Sequence, residues 1–169
     1  LRLELVRGEW QYVEDRPGVE VLAFREIGRD PENPGPMIRV PAGTDIQVSV
    51  SNPLDVDLVI HGFSSRRVAD MGSLVVPAGE VRQAHFIADV EGTYFYWGTT
   101  TGSEPDSRLF EDSQLNGALI VDPAHGPSVR DKVMVLSIWF QRPPEGEELD
   151  WQTETMAING RAWPFTQRL

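Results

Sequence analysis

The chain has 169 residues, and its 26 acidic against 15 basic side chains give a formal net charge of -11. That acidity disfavours nucleic-acid binding, and no apolar run is long enough to cross a bilayer. The absence of cysteine excludes disulfides, thiol catalysis and a blue-copper centre, which needs a thiolate ligand. With 40% hydrophobic residues, the chain can build one globular core.

Short strands separated by turns are predicted for the first half of the chain. Apolar and polar residues alternate, as in strands with one buried face, over residues 1–5, 45–50 and 80–88. Turn signals rich in proline and glycine lie between these segments, at 16–18, 33–36, 41–44, 77–80 and 91–92. The pattern predicts an all-β fold, a Greek-key β-sandwich or barrel.

The second half begins with a weakly alternating strand at 93–97. Residues 99–114 are polar and predict a long loop, and such loops in compact domains are often functional. We expect Glu111 and Asp112, within that loop, to be solvated charges. The apolar run at 132–140 predicts a mostly buried strand.

The end of the chain predicts a change of organisation. Residues 1–140 are expected to form the β domain, and the acidic, proline-containing segment 141–153 a linker. Residues 154–169 then predict a strand that leads toward a following domain or packs back on the sandwich. Their apolar side chains favour contact with the sandwich or with a neighbouring subunit.

An ordered series of motifs runs through most of the chain. It comprises PGPMIRV at 34–40, GT at 43–44, NPL at 52–54, HG at 61–62, GTYFY at 92–96 and INGRAWP at 158–164. This series resembles the first cupredoxin-like domain of multicopper oxidases such as laccases. The resemblance implies a cupredoxin-like fold, membership of a copper-dependent oxidoreductase family, and a secreted or periplasmic location.

The resemblance also identifies four positions of a copper site. First domains of the family carry His-Trp-His-Gly and Tyr-His-Ser-His, whereas Val59, His61, Trp97 and Thr99 stand at the four histidine positions here. Residues two apart in a strand share a face, so we expect these side chains to converge, with Trp97 filling the vacated volume. His61 is the only surviving candidate ligand, and one imidazole does not hold copper tightly.

The remaining aromatic and histidine residues leave alternatives open. His61 is either a leftover ligand or a partly buried, hydrogen-bonded structural residue. His85 and His125 are expected to be exposed. In the aromatic run 94–97, the side chains on one face are expected to pack in the core. The side chains on the other face are either covered or line an aromatic pocket.

These observations support two functional hypotheses. In the first, the chain is the N-terminal cupredoxin-like domain of a multicopper-oxidase-like protein. It is a vestigial, copper-free scaffold or interface, inactive alone, whose partners are further cupredoxin domains or neighbouring subunits. Any copper and any oxidoreductase activity would then lie in further domains. In the alternative, it is a non-enzymatic binding or interaction module. No catalytic residue is identified in either case.

Overall fold

The computed structural model describes residues 1–14, 17–66, 72–126, 131–140, 146, 148 and 155–166. Within these residues, strands account for nearly all of the regular structure. They are β1 Arg2–Trp10, β2 Val19–Glu26, β3 Gly35–Pro41, β4 Thr44–Ser51, β5 Leu58–His61, β6 Leu74–Val76, β7 Val81–Ala88, β8 Gly92–Thr99, β9 Asn116–Asp122, β10 Leu136–Trp139, β11 Thr155–Ile158 and β12 Arg161–Ala162. A short 3-10 helix lies at Phe110–Asp112. None of the described residues belongs to a helix long and apolar enough to span a membrane.

The strands form two large sheets and one small one. The first has the order β2-β1-β4-β7 and the second the order β3-β9-β8-β5-β6. The pairs β1–β4 and β3–β9 are parallel, and the other pairs in these two sheets are antiparallel. Because non-consecutive strands are neighbours in both sheets, the connections cross between them. This arrangement confirms the predicted all-β sandwich of the cupredoxin class.

The main core lies between the two large sheets, where alternate residues of each strand point inward. Its fully buried members include Leu3, Leu5, Leu22, Phe24 and Val50 from the first sheet, and Leu58, Ile60 and Tyr96 from the second. Burying an aliphatic or aromatic side chain of this size contributes about 1.5–3 kcal/mol. The core therefore fixes which face of each strand is turned outward.

Tyr96 is the central aromatic residue of this core. Its ring contacts those of Phe24 and Phe63, with centroid distances of 5.3 and 4.9 Å. Its hydroxyl donates to the carbonyl oxygen of Pro36 at 2.6 Å, and burial raises the pKa of Tyr96. Gly117 lies against this ring, where an added Cβ would be 2.3 Å from the Tyr96 Cζ. The Tyr96 ring can therefore occupy this position only because residue 117 has no side chain.

The small sheet packs beside the end of β1. Trp139 is fully buried and stacks on Tyr12, with 4.8 Å between the ring centroids. Ala157 and Ala162, from β11 and β12, complete this second cluster. Trp163, by contrast, is 82% exposed, so part of the apolar surface of this segment faces solvent.

The segment at 132–140 differs from its prediction. Its strand covers only Leu136–Trp139, and Leu136 is 76% exposed. The expectation of a mostly buried strand was wrong because Trp139 is the one buried residue of β10, while Leu136 and Ile138 are exposed. The predicted linker, 141–153, lies almost wholly outside the described residues.

Replacing Gly117 with alanine should lower the free energy of unfolding by about 1–3 kcal/mol, because the added methyl group overpacks the Tyr96 ring. Gly8→Ala is the matched control, since Gly8 also lies in a strand and its added Cβ would meet nothing within 4 Å. That variant should stay within about 0.5 kcal/mol of the parent. Urea denaturation measures both, and equal effects would contradict this account of Tyr96.

Candidate functional site

The pairing of β5 with β8 brings the four positions of interest together. Val59 lies directly opposite Thr99, and His61 lies directly opposite Trp97. Directly opposed residues of an antiparallel pair point to the same face of the sheet. Their strand neighbours Ile60 and Tyr96 point into the core. The four side chains therefore share the outer face of the five-stranded sheet, and they are called the outer patch below.

Two side chains of the outer patch, His61 and Trp97, form a stack with Arg108. The rings of His61 and Trp97 are nearly parallel, at 14°, with their centroids 4.2 Å apart. The guanidinium carbon of Arg108 lies over the Trp97 ring, 4.9 Å from its centroid, in the geometry of a cation–π contact. His61 makes this stacking contact and has no hydrogen bond to the described residues. Trp97 is only partly buried, so it does not fill an enclosed volume.

Arg108 also joins the loop to the sheet. Its Nη1 donates to the carbonyl oxygens of Gly98, Asp112 and Leu115, at 2.9, 3.0 and 3.1 Å. Its Nε is buried without a hydrogen-bond partner among the described residues. Burial lowers the pKa of Arg108, and the nearby Asp112 partly opposes this. The guanidinium is nonetheless a permanent positive charge beside Trp97.

The other half of the patch is held by a buried carboxylate. Asp112 is 2% exposed and Thr99 is 3% exposed. One carboxylate oxygen of Asp112 accepts from the Thr99 hydroxyl at 2.8 Å and from the Thr100 amide at 2.7 Å. The amide and hydroxyl of Thr101 and the hydroxyl of Thr100 also donate to Asp112. Because five donors surround the carboxylate, its charge is stabilised by hydrogen bonds.

Sequence reasoning missed both loop residues. Asp112 was expected to be a solvated loop charge, and that prediction was wrong because three successive threonines surround its carboxylate. The available signal was the run 99–101, whose hydroxyls and amides can all donate to one acceptor. Nothing in the sequence pattern indicated that Arg108 would lie over Trp97.

The other two histidines lie away from the patch, exposed as predicted. His85 is on the outer face of β7 and contacts the carboxylate of Asp45, and His125 lies in a turn. Among the residues that the structure describes, no group of three His, Asp or Glu side chains could hold a metal ion.

Known proteins identify the family. A family model of multicopper oxidases matches residues 24–125, which is more than half of the chain. The chain belongs to the multicopper oxidase family. Among its relatives, L-ascorbate oxidase of Cucumis sativus is 29% identical over 144 residues, covering 77% of this chain and 23% of the relative. L-ascorbate oxidase of Nicotiana tabacum is 28% identical over 158 residues, covering 80% and 26%.

A solved structure shows the same fold. The blue copper oxidase of Nitrosomonas europaea superimposes with a TM-score of 0.73 at 20% sequence identity, over 99% of this chain and 55% of that one. The chain thus spans about a quarter of the length of its plant relatives and about half of that bacterial oxidase.

The outer patch does not fit the copper that this family implies. Val59 has no donor atom, and the indole of Trp97 has only an N–H. The Thr99 hydroxyl already donates to Asp112. His61 is then the sole imidazole of the patch, and Arg108 adds a positive charge on the neighbouring ring. Copper sites built by proteins use several imidazole or sulfur ligands, so no chemical step can be assigned to a metal in this patch.

Asp112→Asn should lower the free energy of unfolding by about 2–3 kcal/mol, because the amide removes a charge and turns a donor toward the threonine hydroxyls. Asp106→Asn is the matched control: Asp106 is exposed in the same loop, where it accepts from Ser107. Its variant should stay within about 0.5 kcal/mol of the parent. Chemical denaturation measures both, and a silent Asp112→Asn change would contradict the role of the network.

His61 should make stability depend on pH. Burial lowers the pKa of His61 below its usual 6.5, and Arg108 adds to this while Glu104 opposes it. As pH falls below 6.5, the unfolded chain takes up the proton first. The stability contribution of the neutral imidazole is therefore present above 6.5 and is lost as pH falls through the folded-state pKa.

The His61→Phe variant should keep the stack and reduce this dependence, as measured by unfolding free energies between about pH 5 and 7. His125→Gln, at an exposed turn, should retain the slope of the parent. An NMR titration midpoint for His61 at or above 6.5 would contradict the burial argument.

Proposed function

We propose that this chain is a copper-free scaffold and interface domain, N-terminal in a multicopper-oxidase-like protein. The observation that carries the proposal is that three of the four side chains in the outer patch already make contacts within the protein. The stack of His61, Trp97 and Arg108 and the bond from Thr99 to Asp112 commit its side chains to packing and hydrogen bonding. A domain whose patch is occupied in this way contributes structure rather than redox chemistry.

Electrostatics supports the same proposal. A divalent cation near His61 would approach the guanidinium of Arg108, and like charges in a partly buried site repel strongly. Moving Arg108 away would break its hydrogen bonds to three backbone carbonyls. Binding copper would therefore require both new ligands and the loss of an existing anchor.

The interface role is supported by exposed apolar side chains. Leu136 and Met156 of the small sheet, and Trp163 directly after it, are 76%, 73% and 82% exposed. Large apolar groups that are exposed in this way are typical of a contact site. The partners we propose are further cupredoxin domains or neighbouring subunits, and any copper-dependent oxidoreductase activity would belong to them. A secreted or periplasmic location is part of the same proposal, by resemblance to the family.

A non-enzymatic binding module is the second candidate. It is favoured by a groove on the outer face of the five-stranded sheet, which Phe95 and Leu109 help to line. In this candidate, the sandwich presents a ligand site and has no need of the ancestral metal.

A copper-loading experiment tests the proposal. The parent chain, incubated with excess Cu(II) and then desalted, should retain far less than one copper per chain, as measured by elemental analysis. The variant carrying Val59→His, Trp97→His and Thr99→His should retain more copper than the parent, with nitrogen hyperfine structure in its electron paramagnetic resonance spectrum. Without metal it should be less stable, because packing is replaced by imidazoles and the bond to Asp112 is lost.

Two outcomes would contradict the proposal. One tightly held copper per parent chain would refute the copper-free state. Copper retention by the triple variant equal to that of the parent would mean that the four positions do not correspond to the ligand positions of the family. A His85→Gln variant controls for adventitious binding at the exposed histidine beside Asp45, and its copper content should equal that of the parent.

A further inference from the structure

A groove of about 700 Å³ runs along the outer face of the five-stranded sheet. Its floor is formed by β8 and β9, including Phe95 and Ala118. One wall is the loop that carries Arg108 and Leu109, and the other is the segment 133–140. The volume lies within the range of about 300–1,000 Å³ that is usual for small-molecule sites.

The groove is lined mainly by apolar side chains that face solvent. Phe95 is 53% exposed, and Met134, across from it on the wall segment, is 50% exposed. Leu109 and Ile138 are also partly exposed in the same lining. Covering apolar surface of this kind with a ligand is more favourable than leaving it in contact with water. Methionine side chains adapt to ligands of different shape. The groove thus favours a ligand with an aromatic or aliphatic body.

Arg108 supplies the polar feature of the groove. Its Nη1 is used by three carbonyls, whereas its Nη2 and Nε have no partner among the described residues. It has no ion pair with any described carboxylate. A guanidinium pairs best with a carboxylate, which accepts from two of its N–H groups at once. Among the described lining residues, the other charged side chain is Asp106, which is exposed and would repel a second negative charge on the ligand.

We propose that this groove binds a small amphiphilic monocarboxylate. The aromatic or aliphatic body lies against Phe95 and Met134, and the carboxylate pairs with Nη2 of Arg108. This proposal does not rest on the copper-free state, which the copper-loading experiment tests separately. The groove has a wall along each side, and this concave shape fits a small ligand better than the flat surface of a partner protein.

The test compares two ligands that differ only in charge, 4-phenylbutyrate and 4-phenylbutan-1-ol, titrated into the parent chain by calorimetry. We expect 4-phenylbutyrate to bind at least about tenfold more tightly than the alcohol, because of the pairing with Arg108. In NMR spectra with labelled methionine methyl groups, Met134 should shift on binding and Met37, outside the lining, should not. Using matched ligands avoids removing Arg108, whose loss could unfold the loop.

A matched pair of variants completes the test. Phe95→Ser should weaken 4-phenylbutyrate binding by about tenfold or more, because the apolar floor is lost. Ile87→Ser is the control: Ile87 is 51% exposed on the outer face of the other large sheet, so binding should be unchanged. The proposal is overturned if 4-phenylbutyrate does not bind, if it binds no better than the alcohol, or if Phe95→Ser and Ile87→Ser have equal effects.

Discussion

The antiparallel register between β5 and β8 is the constraint on which the outer face of this domain depends. A slip of β8 by one residue would turn Trp97 into the core and bring Tyr96 out to solvent. Tyr96 prevents this, because its hydroxyl reaches the carbonyl of Pro36 and its ring fits over Gly117. The inward-facing side chain of Tyr96 therefore fixes Trp97, its neighbour in β8, on the outer face of the sheet.

The loop after β8 depends on a different kind of interaction. A carboxylate as buried as that of Asp112 would be costly without donors, and the three threonines that end β8 and begin the loop supply them. Arg108 then fastens the same loop to the backbone of its neighbours. These polar contacts, together with the fully buried Leu115 at the end of the loop, hold the loop against the sheet and give one wall of the groove a defined position.

Sequence patterns predicted the parts of this arrangement that follow from strand geometry. Alternation over 45–50 and 80–88 predicted β4 and β7, and the period of two placed His61 with Val59. The contacts of Arg108 could not be predicted, because an aperiodic loop does not determine where its side chains meet the sheet. Burial at 132–140 was mispredicted for a related reason: an apolar run does not reveal which of its faces has a partner.

The position of β9 has a consequence for how the chain can be shortened. This strand, Asn116–Asp122, is inserted between β3 and β8 and is their common neighbour. A chain that stopped before it would leave β3 without a partner in its sheet and would expose one long edge of β8. Unpaired edges of this kind recruit strands from other molecules. Every truncation that keeps the first eight strands but lacks the ninth should therefore aggregate, even though the four-stranded sheet would already be complete.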